Sequence, residues 1–148
     1  MTTSDFLESA FPASEATGKT LWVQDDVRRS VESILGHRFG TLRVRYWYDG
    51  TTSAWILDEI GKELPITIGV TVADSKIRDV HILAFRESRG WEVRYPFFTD
   101  QFRRATLAAD GNLDRRIDGI TGATLSVAAV TRIARIALLL HDDISKTR

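Results

Sequence analysis

The segment Asp118-Gly119-Ile120-Thr121-Gly122-Ala123-Thr124-Leu125-Ser126 brings a carboxylate, two threonine hydroxyls and two glycines together, and it runs straight into a helical apolar pattern. Small residues let a ligand approach the main chain closely. The first N–H groups of a helix have no partner within it, and the helix dipole favours negative charge there. A phosphate is the natural guest, and Thr121 and Thr124 could hydrogen-bond to it or be joined to it. The plainer reading is a turn at Asp118-Gly119 followed by a threonine N-cap. Spacing alone leaves both open.

Elements on either side must position this loop. After it, Val127, Val130, Ile133/Ala134, Ala137 and Leu140 form one stripe, which predicts a helix from about Thr124 to His141 with Arg132 and Arg135 off the stripe. Before it, the period is mostly two. Leu42, Val44, Tyr46 and Tyr48 alternate with Arg43, Arg45 and Trp47; Asp49-Gly50 is a turn, and Ser53 to Ile60 returns as a strand. Ile66, Ile68, Val70 and Val72 alternate again, a turn follows at residues 73–76, and Ile77 to Phe85 pairs back. Tyr46, Trp47, Tyr48 and Trp55 read as cross-strand aromatic contacts.

Glu87 to Trp91 reads as a loop centred on Gly90, and Phe98, Phe102 and Leu107 suit a short helix within Pro96 to Leu107. Val23, Val27, Val31, Ile34 and Leu35 recur at helical spacing, predicting a helix over Leu21 to Leu35 that stops at Gly36. Residues 1–20 are small and polar and read as a flexible lead-in. The sum is an α+β fold: a twisted antiparallel sheet with helices packed on it, one domain over residues 21–148.

Composition narrows the function classes. The chain has 148 residues, with 20 Lys plus Arg against 20 Asp plus Glu, and no cysteine. The even charge gives no support to a nucleic-acid partner. Thiolate metal sites, iron–sulfur clusters and cysteine nucleophiles are excluded. His37, His81 and His141 lie far apart with no metal-ligand spacing. No run of about 18 apolar residues predicts a membrane span, and residues 1–15 have no signal-peptide pattern. Thr17-Gly18-Lys19-Thr20 lacks the first glycine and the preceding strand of a phosphate-binding loop.

Asp118-x-x-Thr121-Gly122-Ala123-Thr124 resembles the flavinylation motif of FMN-binding domains, such as those of the C subunit of the sodium-translocating NADH:quinone oxidoreductase and the G subunit of the Rnf complex. The family pattern is Asp, two variable residues, Ser or Thr, Gly, Ala, then Ser or Thr, and every defined position is filled. The resemblance implies FMN joined through its phosphate to Thr124 by a magnesium-dependent flavin transferase, with FAD as donor. Asp118, Thr121, Gly122 and Ala123 would then be recognition and cradle residues, with Leu125 and Ser126 beside them.

Upstream, Glu87-Ser88-Arg89-Gly90-Trp91-Glu92 is similar to the family's Glu-Thr-Pro-Gly-Leu-Gly loop at the Glu and the first Gly, and Ser88 stands for Thr. Arg89, Trp91 and Glu92 depart from it. The resemblance implies that Glu87, Ser88 and Trp91 lie near the flavin; Trp91 could stack on the ring or plug the core. Thr99-Asp100-Gln101-Phe102 corresponds to an aromatic-and-Gln segment downstream of that loop.

The resemblance implies an electron-transfer flavoprotein exchanging electrons with a redox partner, a membrane or haem protein, in the periplasm or otherwise outside the cytoplasm. No leader stands in this chain, and a cytoplasmic site is left open. No general base for a substrate is evident, so a carrier is expected over a substrate-converting enzyme. The alternatives are a noncovalent FMN-binding protein or flavin reductase of the same fold, and an interaction module that has lost the cofactor.

Overall fold

A computed structural model describes residues 1–13 and 15–146; Ser14, Thr147 and Arg148 lie outside the described residues. Five strands form one antiparallel sheet in sequence order: β1 (Thr17–Trp22), β2 (Arg43–Tyr48), β3 (Thr52–Ile60), β4 (Pro65–Ala73) and β5 (Lys76–Ala84). Four helices accompany it: α1 (Thr3–Ala10), α2 (Asp25–Leu35), α3 (Pro96–Thr99) and α4 (Thr124–Lys146). The α+β expectation holds.

The strand period of two sorts side chains between two faces. On the inner face, Tyr46 of β2 stands opposite Trp55 of β3, and their rings stack at 4.6 Å. Ile68, Val70 and Val72 of β4 join them under α4, whose Val130, Ile133, Ala137 and Leu140 are all buried. By length and composition α4 could cross a membrane, but most of it is buried inside this fold. It is the sheet's core helix, and its first turn meets the core through Ser126 and Val127.

Polar side chains tie α4 down at two further points. Ser53 Oγ accepts from Trp55 Nε1 at 2.7 Å, so its own proton turns to His141 Nδ1, 2.6 Å away. Burial pushes the His141 pKa down, which suits this neutral acceptor. Glu59, buried at the end of β3, accepts from Arg132 Nε at 2.9 Å, from the Ile60 amide at 3.0 Å and from His37 Nε2 at 3.0 Å. A buried carboxylate persists only with such partners.

Three expectations change. Residues 3–10, expected within a flexible lead-in, form α1, opened by a capping box in which the Asp5 amide donates to Thr2 Oγ1 and the Thr2 amide to Asp5. Its Phe6 is fully buried on the outer sheet face, against Gly69 and edge-on to His81. The helix expected over Leu21 to Leu35 begins only at Asp25, because Leu21 and Trp22 pair with Val44 and Arg43 as the end of β1. The segment from Pro96 is α3 followed by a 3-10 turn, Asp100–Phe102, and stops there.

Candidate functional site: the cleft at the start of α4

Three loops meet at the N-terminus of α4: the β3–β4 turn at residues 61–64, the loop after β5 at 85–90, and the segment 118–123. Each is fixed by a nameable contact. Glu87 accepts from the amides of Glu63, at 2.6 Å, and Leu64, which locks the first two loops together. Gly90 has φ +88°, and a Cβ there would lie 3.0 Å from Ser126 Oγ and 3.4 Å from Ala123 Cβ. Only glycine lets this loop lie so close to the first turn of α4. Gln101 holds the third loop: its Oε1 accepts from the Asp118 amide at 2.8 Å and its Nε2 donates to the Asp118 carbonyl at 3.3 Å. Arg115 braces the same strap on the carbonyls of Arg103 and Arg104.

The result is a cleft of about 450 Å³. One wall is Lys62, Glu63, Glu87, Ser88 and Arg89, and the other is Gly122 through Ser126. Gly122 takes φ +84°, the left-handed region expected of a glycine in this loop. Thr124 is the first residue of α4, and Ala123, whose carbonyl accepts from the Val127 amide, holds the cap position. Alanine has no side-chain oxygen with which to cap, and the amides of Thr124, Leu125 and Ser126 have no acceptor among the described residues. Thr124 is exposed, and its hydroxyl has no hydrogen bond among the described residues. The threonine N-cap reading therefore fails: Thr124 stands one position too late, and its hydroxyl is free.

These residues fit a phosphoryl group. Free helix amides, the Lys62 and Arg89 cations and an unengaged hydroxyl line one cleft. The family model of the FMN-binding domain matches residues 61–139. The chain belongs to the FMN-binding domain family. None of the curated proteins matches it. The family span begins at the β3–β4 turn and ends within α4, so it contains every wall of the cleft.

Within this FMN-binding domain, Glu87, Ser88, Gly122, Ala123, Thr124, Leu125 and Ser126 are brought together in the cleft. Asp118 and Thr121 stand exposed on the strap leading into it and do not line it. Trp91 neither lines the cleft nor plugs the core: it is 43% exposed and packs edge-on to Tyr95 at 5.2 Å. The motif points to neither Lys62 nor Glu63, and Arg89 enters the sequence pattern only as a departure from the family's loop. Lys62 and Glu63 lie 24 residues or so before the Glu87 loop, and the signal that joins them is the Glu87 carboxylate bonded to two amides of that turn.

Proposed function

We propose that this FMN-binding domain is an electron carrier whose FMN is joined by a phosphoester bond to the Thr124 hydroxyl. The observation that carries the reading is Thr124 itself: an exposed hydroxyl, unbonded among the described residues, at the first turn of an uncapped helix and in a cleft with two cations. The intact Asp118-x-x-Thr121-Gly122-Ala123-Thr124 motif supports attachment by a flavin transferase. In that reaction the Thr124 Oγ–phosphorus bond forms, the pyrophosphate bond of FAD breaks, AMP leaves and the hydroxyl proton goes to solvent.

The residues of the chain then hold and orient the group. The free amides of α4, with Lys62 and Arg89, balance the negative charge retained by the phosphodiester. Glu87 keeps the two cation-bearing loops in register, and the exposed Asp118 carboxylate is available to the transferase. Bound FMN supplies the redox chemistry, and the protein supplies position and charge. A tether makes tight enclosure of the ring unnecessary, so a partner can come close. The implied working place is extracytoplasmic, with a membrane or haem protein as partner.

A noncovalent FMN-binding protein or flavin reductase is the second reading, and the unengaged Thr124 hydroxyl weighs against it. The test is to incubate the wild-type chain and Thr124→Ala with FAD, magnesium and an active flavin transferase, then precipitate with acid. Flavin retained by the wild type alone supports the proposal; flavin released from both supports the noncovalent reading.

A further inference from the structure

The largest cluster of exposed aromatic side chains stands beside the cleft. Trp91, Tyr95 and Phe97 are 43%, 40% and 63% exposed, and their ring centroids follow one another at 5.2 and 6.0 Å. The ridge is presented by a 3-10 turn, Trp91–Arg94, and the start of α3. It begins one residue after Gly90, which packs on Ala123 and Ser126. From there it runs toward β5, the outermost strand, where Tyr95 and Arg94 close a recess with residues 81–85.

Charge on this segment is one-sided. Arg86, Arg89 and Arg94 are exposed and form no ion pair among the described residues. The acids between them are half-buried: Glu87 is spent on backbone amides, and Glu92 has an oxygen shut away from solvent. In a chain of zero net charge, this face is locally cationic. Exposed aromatics with arginine and few exposed acids are the composition of an interface centre.

We propose that the Trp91–Tyr95–Phe97 ridge with Arg86 and Arg94 is the docking face for a small acidic redox protein. This rests on the carrier reading, since the face adjoins the cleft assigned to the flavin. The arginines steer the acidic partner inward, the aromatic rings hold it, and its redox centre is brought to the open side of the cleft. A second recess, at the opposite end of β5, holds Lys76, Arg78, Arg103 and Arg104, but Asp74 and Asp79 line it too, Asp79 pairs with Arg78 and Arg103, and no exposed aromatic ridge stands there.

The probe is an acidic soluble c-type cytochrome, titrated at low salt into the flavin-loaded chain and, in parallel, into the flavin-free chain, with amide-resolved NMR as the readout. Shifts confined to residues 86–97 and the cleft are expected. Arg94→Ser should weaken binding about threefold at low salt and little at high salt. Phe97→Ser should weaken it about fivefold or more at either. No binding, shifts centred on Lys76 and Arg104, or equal binding of a basic cytochrome c would each overturn the proposal. A chain that takes up no flavin fails the carrier reading alone, because the shift map of the flavin-free chain still judges the face.

Discussion

Gln101 grips Asp118 by the backbone alone, accepting from its amide at 2.8 Å and donating to its carbonyl at 3.3 Å. The clamp leaves the Asp118 carboxylate free and exposed at the entrance to the helix-start segment. Position and chemistry are thus divided between two residues 17 apart in sequence. Gln101→Ala removes two neutral hydrogen bonds and should cost about 1–2 kcal/mol. It should also slow flavin incorporation by letting the strap move. Asp118→Asn should leave the melting midpoint unchanged and slow incorporation nonetheless. Denaturant melts paired with initial incorporation rates separate the two effects.

Thr124→Ala should abolish attachment and change stability by less than about 0.5 kcal/mol. The cap position belongs to Ala123, so no capping bond is lost, and alanine is the better helix former. Thr124→Ser keeps the hydroxyl and should keep attachment. Acid-stable flavin and thermal midpoints of the three proteins check this. A loss near 1 kcal/mol in the alanine variant would return Thr124 to a capping role.

Gly90→Ala should cost about 1–2 kcal/mol for the left-handed backbone, plus the contact with Ser126 Oγ at 3.0 Å. Both push the 85–90 loop away from α4, so flavin loading should fall alongside stability. Gly122 also has positive φ, but a Cβ there meets nothing within 4 Å. Gly122→Ala should therefore pay the backbone term alone, and a denaturant series on both variants would display the difference.

Phe6→Ala should cost about 3–5 kcal/mol, the usual range for a buried phenylalanine. Its ring covers Gly69, where a Cβ would lie 2.8–3.0 Å from three ring atoms. Gly69→Ala should then expel the ring and release α1. Loss of α1 amide protection in hydrogen exchange, with the α4 amides from Val127 onward still protected, is the expected result.

Strands β2 to β5 and α4 were legible because each has a long, clean period over a buried face. The helix α1 was not: eight residues bury only Phe6 and Ala10, and its clearest signal was local, the reciprocal Thr2–Asp5 cap. Strand β1 was missed in two pieces: Thr17–Thr20 fell in the polar stretch read as a lead-in, and Leu21 and Trp22 were drawn into the helical spacing of Val23, Val27 and Val31. In the site, the motif 118–124 is contiguous and could be read directly. The facing wall could not, since Lys62 and Arg89 meet only through β4, β5 and the Glu87 bridge. Trp91 does not plug the core, because packing against Tyr95 holds it on the surface.

Stability should fall on both sides of neutrality. Both ring nitrogens of His37 face acceptors, the Arg38 carbonyl at 2.8 Å and Glu59. The carbonyl chiefly, with Glu59 adding to it, holds its pKa above the ordinary 6.5. Its contribution is full below 6.5 and is lost as pH rises through the raised value. His141 and His81 are pushed below 6.5 by burial. There the unfolded chain binds protons first, so their cost appears as pH falls below 6.5. His37→Gln should flatten the alkaline limb of a midpoint-against-pH curve and leave the acid limb in place.

The central claim is attachment at Thr124, and the direct measurement is intact mass after incubation with FAD, magnesium and an active flavin transferase, followed by denaturation and peptide mapping. The account predicts a gain of one FMN less one water, confined to the peptide that contains Thr124. An unchanged mass in folded protein, with a control substrate modified in the same tube, would contradict it.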